Sequence, residues 1–292
     1  GLGAEDVKKI NNKIVYTSVS GFGQTGELKN RAGINLIIEA LSGTLSVMGE
    51  KGEMPPRPGL QTADILGAMF ATYSTLAGLI GQIKQNQGLH ADVSLIEASI
   101  ASAVWETTEF LSSGIVPEQL GHSHRASAPY QLFKTNDKRY IAIGAPSDAH
   151  FKRLMDILNL NDLVENPKFI SYSSRKENEK DLVPVVANKI RDWDSSNLEI
   201  KLTEAGIPCG CVRNYEEALN NPHSFDRQLL AEISDGQGAK IKTIRNPVLI
   251  NNKPININNL APELGQQSYE ILSEVGIDEN MFSELVSDGI TI

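Results

Sequence analysis

The sequence has few cysteines, no surplus of positive charge and no long apolar run, and each absence excludes a class of protein. Its two cysteines, Cys209 and Cys211, cannot form a disulfide framework, and a zinc site would need a second pair of ligands. We therefore expect reduced thiols in a cytoplasmic protein. A net charge of −9 argues against broad nucleic-acid binding, which requires a basic surface. Every apolar run is far shorter than about 18 residues, so we predict no membrane span.

The remaining composition, with 40% apolar residues in 292, is typical of a globular protein of one large or two ordinary domains. The chain opens within a predicted helix, Ala4 to Asn11, so we expect a further segment before it. Over residues 1–120, strands alternate with helices, which predicts part of an α/β domain. A hairpin and several helices predict a smaller α+β domain over 121–222. We expect 223–292 to return to the large domain.

The predicted elements of the large domain include two strands, Lys13 to Ser20 and His90 to Leu95, each apolar enough to be buried on both faces. A helix is predicted from Ile96 to Ser113, with Trp105 and Phe110 in the core. In the smaller domain, segments 130–135 and 139–144 predict a hairpin, and further helices are expected at about 148–158, 176–192 and 195–205.

A glycine-rich segment follows the first predicted strand. Gly21 to Gly26 (GFGQTG) matches G-x-G-x-x-G, which in dinucleotide-binding domains opens a helix and is followed by an acidic residue about 20 positions on. Here Glu27 to Gly33 continues as a polar loop, which disfavours a nicotinamide cofactor. Close approach of this loop backbone to some other ligand remains open.

The stretch from Arg57 to Ala68 (RPGLQTADILGA) predicts a turn followed by a helix, which Thr62 can cap and which carries Asp64 in its first turn. The positive end of the helix dipole favours an ionised carboxylate, which suits a nucleophile better than a proton donor. Alternatively, Asp64 only stabilises its helix. Two stripes with helical spacing follow. The apolar stripe, expected to be buried, is Leu66, Met69, Tyr73, Leu76, Ile80 and Ile83, and the small-residue stripe is Gly67, Ala71, Ser74, Gly78 and Gly81.

The loop after the last predicted helix of the large domain contains His122-x-His124, which could supply two metal ligands. No carboxylate or thiol partner lies nearby in the sequence. We therefore expect a polar loop and no metal site.

Taken together, six segments resemble a family III CoA-transferase, the group that contains formyl-CoA transferase, carnitine CoA-transferase and succinyl-CoA:glutarate CoA-transferase. They occur in the family's order and extend over nearly the whole chain. The segments are SVSGFGQTG (18–26), RAGINLIIEALSG (31–43), PRPGLQTADILGA (56–68), GLHADVSLIEA (88–98), APYQLFKT (128–135) and GIPCGCV (206–212).

The resemblance implies that Asp64 is the nucleophile and that Arg31, Ala32, Gly33, Ile34 and Asn35 contact coenzyme A. It also implies substrate contacts by Gln24, Arg125 and Tyr130. Arg125 could hold a distal carboxylate or could be a solvated loop residue. The expected reaction moves CoA from an acyl-CoA, such as succinyl-CoA, to a carboxylic or dicarboxylic acid, through an aspartyl anhydride and an aspartyl-CoA thioester. No permanently bound cofactor is expected.

The sequence departs from the family pattern at two places. Racemases of the superfamily carry a histidine where this chain has Ile34, so a proton-transfer group needed for racemisation is missing. Formyl-CoA transferase has a run of glycines before the strand at 130–135, and this chain has His124 to Pro129 there, which disfavours oxalate and formyl substrates. An acyl-CoA racemase or isomerase, and an inactive remnant that serves as a binding module, remain the alternatives.

The resemblance further implies a doubly wound, Rossmann-like large domain whose first strands lie upstream of this chain, and two subunits interlocked as a homodimer. The expected partners are an acyl-CoA and an acceptor acid, with neither nucleic acid nor membrane. A eukaryotic member of the dicarboxylate-using type would be expected in the mitochondrial matrix instead of the cytoplasm.

Overall fold

A computed structural model of the protein describes residues 1–234, 240–257 and 259–292. The chain divides into two units, Gly1–Cys211 and Val212–Ile292. Residues 235–239 and Asn258, within the predicted return segment, lie outside the described residues.

The first unit is built on a pair of parallel strands. After helix α1 (Ala4–Ile10), strand β1 (Val15–Ser20) pairs with β2 (Leu89–Ser94) from Val15↔Leu89 to Ser20↔Ser94. Helices α2 (Asn35–Leu41) and α3 (Thr62–Gln85) connect the two strands, as a crossover between parallel strands requires. The two predicted strands and the mixed α/β fold are confirmed.

Helix α3 lies on the strand pair through its small residues. A methyl group placed on Gly78 would come 2.7 Å from Val15 Cγ1 and 2.9 Å from Leu89 Cδ2, at the beginning of both strands. One placed on Gly67 would come 2.1 Å from Leu95 Cδ2, just after β2 ends. The helix therefore runs antiparallel to the strands, and its first turn lies at their carboxyl ends.

The predicted burial of the apolar stripe on α3 is wrong for this chain. Met69, Tyr73, Leu76 and Ile80 are more than half exposed, and Ile83 is 78% exposed. The strands differ from expectation as well, since β1 is mostly half-buried and the first residues of β2 are exposed. The apolar periodicity correctly identified a helix. Close packing on the strands needs small side chains, so the face with the small residues packs there and the apolar stripe does not.

The length and composition of α3 alone would allow it to cross a membrane. Counting uninterrupted apolar runs missed this because threonine, serine and glycine interrupt the sequence of the helix. A core helix of a globular protein meets the same criterion, and α3 packs on β1 and β2 along one side while its apolar stripe is exposed. The absence of a membrane partner stays a prediction.

The close packing at Gly78 leads to a stability prediction. We expect Gly78→Val to lower the free energy of unfolding by about 1–3 kcal/mol, because the added side chain overpacks the contact with Val15 and Leu89. Gly81, one turn further along α3, has no atom near its Cβ position and provides a matched control. Gly81→Val should change stability by less than about 0.5 kcal/mol. Equal losses for the two variants in urea unfolding would contradict the packing.

The predicted helix from Ile96 to Ser113 consists of two helices, α4 (Leu95–Ser102) and α5 (Val104–Ser113). Ala103 interrupts them because its ψ of 57° lies outside the helical range. Trp105 and Phe110 are about half exposed, so their predicted place in the core is wrong for this chain. Both lie on α5, whose described residues include none that is buried.

A three-stranded antiparallel sheet of order β3-β4-β5 follows, formed by β3 (Tyr130–Lys134), β4 (Tyr140–Gly144) and β5 (Cys209–Cys211). The predicted hairpin is confirmed. The helices between β4 and β5 are α6 (Asp148–Ile157), α7 (Tyr172–Glu177), α8 (Glu179–Ile190) and α9 (Ser195–Glu204). The helix predicted at 176–192 is thus divided at Asn178, where α7 ends and α8 begins.

The sheet and these helices enclose a hydrophobic core. Its fully buried members include Ile141, Ile143, Leu154, Met155, Leu182, Ile190, Leu198 and Leu202. Cys209 and Cys211 are free thiols packed against this core. Burial raises the pKa of Cys209 and raises that of Cys211 to about 11, so both thiols stay protonated near neutral pH.

The hairpin turn is tied to α9 by Asp137. Its carboxylate accepts hydrogen bonds from Thr135 Oγ1 at 2.5 Å and from Ser195 Oγ at 2.7 Å. These two bonds, of which the one from Thr135 has the larger effect, lower the pKa of Asp137 from 3.8 to about 2. A carboxyl group with a depressed pKa in the folded state stabilises the protein above its unfolded pKa, and this contribution disappears as the pH falls.

We therefore expect the stability advantage of the wild type over Asp137→Asn to be complete above pH 3.8 and to shrink as the pH falls toward about 2. Urea unfolding followed by tryptophan fluorescence at several pH values would measure it. A difference between the two proteins that does not change with pH would show that the ionised carboxylate has no such role.

The second unit contains short elements. They are α10 (Tyr215–Leu219), α11 (Pro222–Asp226), β6 (Leu230–Ser234), β7 (Lys240–Ile244), β8 (Leu249–Ile250), β9 (Lys253–Pro254), α12 (Ser268–Glu274) and α13 (Glu279–Ser287). Strands β6 and β7 form one antiparallel pair, and β8 and β9 form another.

Candidate active site

Three segments meet at the carboxyl ends of β1 and β2. They are the glycine-rich loop after β1, the entry to α2 and the first turn of α3, and they share a small hydrophobic cluster of Phe22, Ile38 and Ala63. Ligands of open α/β sheets bind at the carboxyl ends of parallel strands. The arrangement therefore brings Asp64 and the segment 31–35 to the edge where a ligand of such a fold is expected.

The glycines of the loop permit a close approach to the entry of α2. A Cβ atom on Gly21 would lie 3.3 Å from Gly33 Cα, and one on Gly33 would lie 2.9 Å from Phe22 Cε2. A larger residue at Gly33 would push the two segments apart. The close approach of the loop backbone to a ligand stays a prediction.

Gln24 is fixed by two interactions at the ends of the strands. Its backbone N–H donates to Asp92 Oδ2 at 2.8 Å, and its side-chain Nε2 donates to Ser20 Oγ at 3.2 Å. Gln24 itself is exposed. The structure therefore places this predicted substrate residue on the same edge as the first turn of α3.

Arg31 is exposed, and its guanidinium carbon lies 5.5 Å from the centre of the Phe22 ring, within cation–π range. Ala32 and Ile34 are also exposed, and Ile34 is the residue before the first turn of α2. An exposed cation held beside the glycine-rich loop is suited to contact a phosphate group. Ile34 offers no group that could transfer a proton.

Asn35 is bound to the first turn of α3. Its side-chain Oδ1 accepts hydrogen bonds from the backbone N–H groups of Ala63 at 3.0 Å and of Asp64 at 3.4 Å. Thr62 was expected to cap this helix, but the N-cap is Gln61, whose side chain makes no capping bond. Asn35 on α2 performs that function from a distant part of the sequence, because free N–H groups at a helix start require acceptors.

Asp64 is exposed in the first turn of α3, and in the described part of the chain no hydrogen bond reaches its carboxylate. The N–H groups of Ala63 and Asp64 are occupied by Asn35. They are therefore not free to stabilise an oxyanion while this cap is formed. The carboxylate is open to attack an electrophile from the solvent side of the helix.

A cavity of about 650 Å³ lies beside the same turn, lined by Thr62 and Leu66 of α3 and by residues of α5 such as Glu106 and Phe110. Thr62 and Leu66 are one helical turn apart and share a face, whereas Asp64 lies about 200° around the helix from Thr62. The cavity therefore opens on the face of α3 opposite Asp64.

Arg125 contacts α5. Its Nη1 lies 2.9 Å from Glu109 Oε2 and its Nε lies 3.3 Å from Glu106 Oε1, with the guanidinium largely buried. Two carboxylates already neutralise its charge. The role of Arg125 in holding a substrate carboxylate stays a prediction, and it would require one of these partners to be replaced.

Tyr130 is half exposed and stacks on His124, with ring centres 4.5 Å apart. Burial, and then the positive charges of Lys176 and Arg125, lower the pKa of His124, so the ring is neutral near pH 7. The contacts of Tyr130 and Arg125 are therefore with α5 and the loop at 122–126. No contact in the described residues joins either of them to Asp64.

The structure adds residues that sequence reasoning did not assign to the site. Glu39 is buried at 1% exposure, and its Oε1 accepts the hydroxyl hydrogen of Thr62. Asn35 was predicted to contact coenzyme A but was not predicted to cap α3. The spacing of four between Asn35 and Glu39 puts both on one face of α2, which is the signal that could have paired them.

The described residues contain no group of three histidine, cysteine, aspartate or glutamate side chains that could hold a metal ion. The His122 side chain is 65% exposed, and its Nε2 lies 3.8 Å from Glu50 Oε1. His124 is occupied by its stack on Tyr130 and by the backbone N–H of Ala126, which donates to its Nδ1. The two histidines thus have different partners.

Comparison with known proteins identifies the family of the chain. The sequence model of CoA-transferase family III matches residues 1–268. The chain therefore belongs to that family. A succinyl-CoA:glutarate CoA-transferase of Homo sapiens is 30% identical over 291 residues, which cover 99% of this chain and 66% of the human protein. An acyl-CoA transferase of Fusarium pseudograminearum is 32% identical, covering 99% of this chain and 64% of that protein.

Among solved structures, a CaiB/BaiF family protein of Brucella suis is similar, with a TM-score of 0.80 and 25% identity. The match covers 94% of this chain and 71% of that one. The chain spans about two thirds of the length of the curated relatives it matches. The mixed α/β fold of this chain therefore matches that of a CaiB/BaiF family protein.

Proposed function

We propose that this protein is a CoA-transferase that moves CoA from an acyl-CoA to a carboxylic acid, with Asp64 as the nucleophile. The observation that carries the proposal is the exposed Asp64 carboxylate in the first turn of α3, bound through its backbone to the predicted CoA-contacting segment. Succinyl-CoA and a dicarboxylic acid are the proposed donor and acceptor, because relatives with 26–30% identity are named for succinate or succinyl-CoA and glutarate.

The proposed reaction begins when a carboxylate oxygen of Asp64 attacks the thioester carbonyl carbon of the acyl-CoA. The carbon–sulfur bond breaks, leaving a mixed anhydride on Asp64 and a CoA thiolate. The thiolate then attacks the aspartyl carbonyl carbon, which expels the free acid as a carboxylate and forms an aspartyl-CoA thioester. The acceptor carboxylate repeats the two steps in reverse order and restores Asp64. No step requires a proton to move.

A carboxylate suits this chemistry because the aspartyl-CoA thioester contains the same kind of bond as the acyl-CoA, so this intermediate is not a deep trap. In the first turn of a helix of 24 residues, the negative charge of the carboxylate interacts favourably with the helix dipole. A racemase or isomerase would require a proton-transfer group at the position of Ile34, and a 71% exposed isoleucine cannot act as one. Transfer is therefore preferred to racemisation.

The proposal includes coenzyme A as a substrate, without a permanently bound cofactor, and a cytoplasmic location. It also includes a doubly wound large domain and an interlocked homodimer. The exposed apolar residues of α3 and α5 support further packing partners for the large domain. These statements concern the whole protein, of which the chain spans about two thirds by comparison with its relatives.

Mass spectrometry tests the proposal. We expect incubation with succinyl-CoA, acid quenching and proteolysis to yield the peptide that contains Asp64 with an added mass of CoA less one water. Solvent exchange at the α-carbon of the acyl group, without that adduct, would indicate a racemase. If neither the adduct nor the exchange occurred, the binding-module alternative would be favoured and transfer through Asp64 rejected.

The predicted phosphate contact of Arg31 can be tested kinetically. We expect Arg31→Ala to raise the KM for acyl-CoA by about tenfold, because a charge-assisted hydrogen bond is lost, while the KM for the acceptor acid changes little. Lys84→Ala removes another exposed cation, in the last turn of α3, and should leave both constants unchanged. An equal effect on the two substrates, or no effect, would remove the phosphate role.

A further inference from the structure

Two polar side chains on one face of α2 hold the first turn of α3. Asn35 accepts hydrogen bonds from the N–H groups of Ala63 and Asp64, and the carboxylate of Glu39 accepts one from the Thr62 hydroxyl. Thr62 and Asp64 belong to the same helical turn. The orientation of that turn, and with it the place of the Asp64 carboxylate, is therefore fixed by α2.

Glu39 is an unusual residue for this place. It is only 1% exposed, and its second carboxylate oxygen, Oε2, is buried and has no hydrogen-bond partner in the described residues. Burying a carboxylate with an unpaired oxygen weakens the folded state, and an apolar side chain of similar size would avoid that cost. Stability alone therefore does not account for a glutamate at this position.

The hydrogen bond between Glu39 and Thr62 restrains one particular part of α3. The bond from Thr62 restrains the start of α3 at its first helical residue, where the chain arrives from an exposed loop. Ala63, the next residue, is fully buried against Phe22 and Ile38. With Thr62 and Ala63 held on the inner side, Asp64 is directed outward at the carboxyl ends of the strands.

We propose that Glu39 is a positioning residue for the transfer reaction, acting on the Asp64 nucleophile through its hydrogen bond with Thr62. The inference rests on the proposed function and adds a residue that does not itself touch the substrate. Small displacements of a reacting group lower turnover strongly, because the near-attack geometry is lost while the binding of substrate is kept. Glu39 should accordingly affect kcat and leave KM unchanged.

The decisive variant is Glu39→Met with Thr62→Val in the full-length protein, which replaces the polar pair by apolar groups of similar size. We expect its melting temperature to equal or exceed that of the wild type, because the unpaired Oε2 and its burial are removed. At the same time kcat for CoA transfer should fall about tenfold, with the KM for acyl-CoA unchanged. Thr72→Val, on the exposed side of the same helix, is the matched control and should leave kcat unchanged.

A wild-type kcat in a folded double variant would overturn the inference. If the double variant does not fold, Glu39→Gln decides, because its amide oxygen can still accept the Thr62 hydroxyl. Glu39→Gln should keep kcat within about threefold of the wild type, whereas Thr62→Val alone should show most of the loss. A loss in Glu39→Gln without one in Thr62→Val would reject positioning through Thr62.

The outcomes also separate this inference from the proposed function. If Asp64→Ala retains turnover, the proposed function fails, whatever Glu39 does. If Asp64→Ala is inactive and the folded double variant turns over at the wild-type rate, only the positioning role of Glu39 fails.

Discussion

Replacing Asp64 by alanine is expected to abolish CoA transfer and leave the fold unchanged. The loss in kcat should be roughly three orders of magnitude or more, because the anhydride and the enzyme-bound thioester can no longer form. The side chain is exposed and makes no hydrogen bond within the described residues, so its removal leaves no cavity. Turnover with succinyl-CoA and glutarate, together with a melting curve, would measure both effects.

A matched control removes a first-turn acidic residue from another helix. Glu279→Ala on α13 loses the same helix-dipole interaction, worth about 0.3–1 kcal/mol at an exposed site, and should retain full activity. Asp64→Asn is a less suitable variant, since the amide can hydrolyse back to aspartate. Near wild-type turnover by Asp64→Ala would exclude Asp64 as the nucleophile and would require another residue for the covalent step.

The second large effect is expected from residues 1–292 expressed alone. Most of the apolar stripe of α3 is exposed, and Trp105 and Leu111 of α5 are exposed as well. A few hundred Å² of uncovered apolar surface at about 25 cal/mol per Å² corresponds to several kcal/mol, comparable with the stability of a domain. We therefore expect this chain alone to bind a hydrophobic dye such as ANS and to aggregate at micromolar concentrations.

Residues 121–222 should be less affected, because the β3-β4-β5 sheet and its helices enclose a core of their own. The contribution of α3 can be separated by a variant in which Met69, Leu76 and Ile83 are all changed to glutamine. That variant should bind less dye and stay in solution at higher concentration, since these side chains are exposed and their replacement removes no buried contact. A cooperatively melting monomer of 1–292 that binds no dye would contradict the expectation.

Much of the local structure of this protein follows from its sequence. β-branched and apolar runs predicted β1, β2 and the hairpin, and helical periodicity predicted α3 with Asp64 in its first turn. These features depend on interactions between residues close together in the chain, so they can be derived without knowing the fold. The six family segments added the expected nucleophile and the CoA-contacting segment by resemblance.

Only the tertiary structure decided which side of α3 is buried and what holds its first turn. The sequence contains an apolar and a small-residue stripe. The small-residue stripe faces the strands, because Gly67 and Gly78 allow the helix to approach Leu95, Val15 and Leu89.

The cap of α3 likewise comes from Asn35 and Glu39, which lie 28 and 23 residues before the groups they bind. No local pattern links residues so far apart. Their contact exists because the crossover between the two parallel strands brings α2 against the start of α3, and this places Asp64 at the edge of the strands.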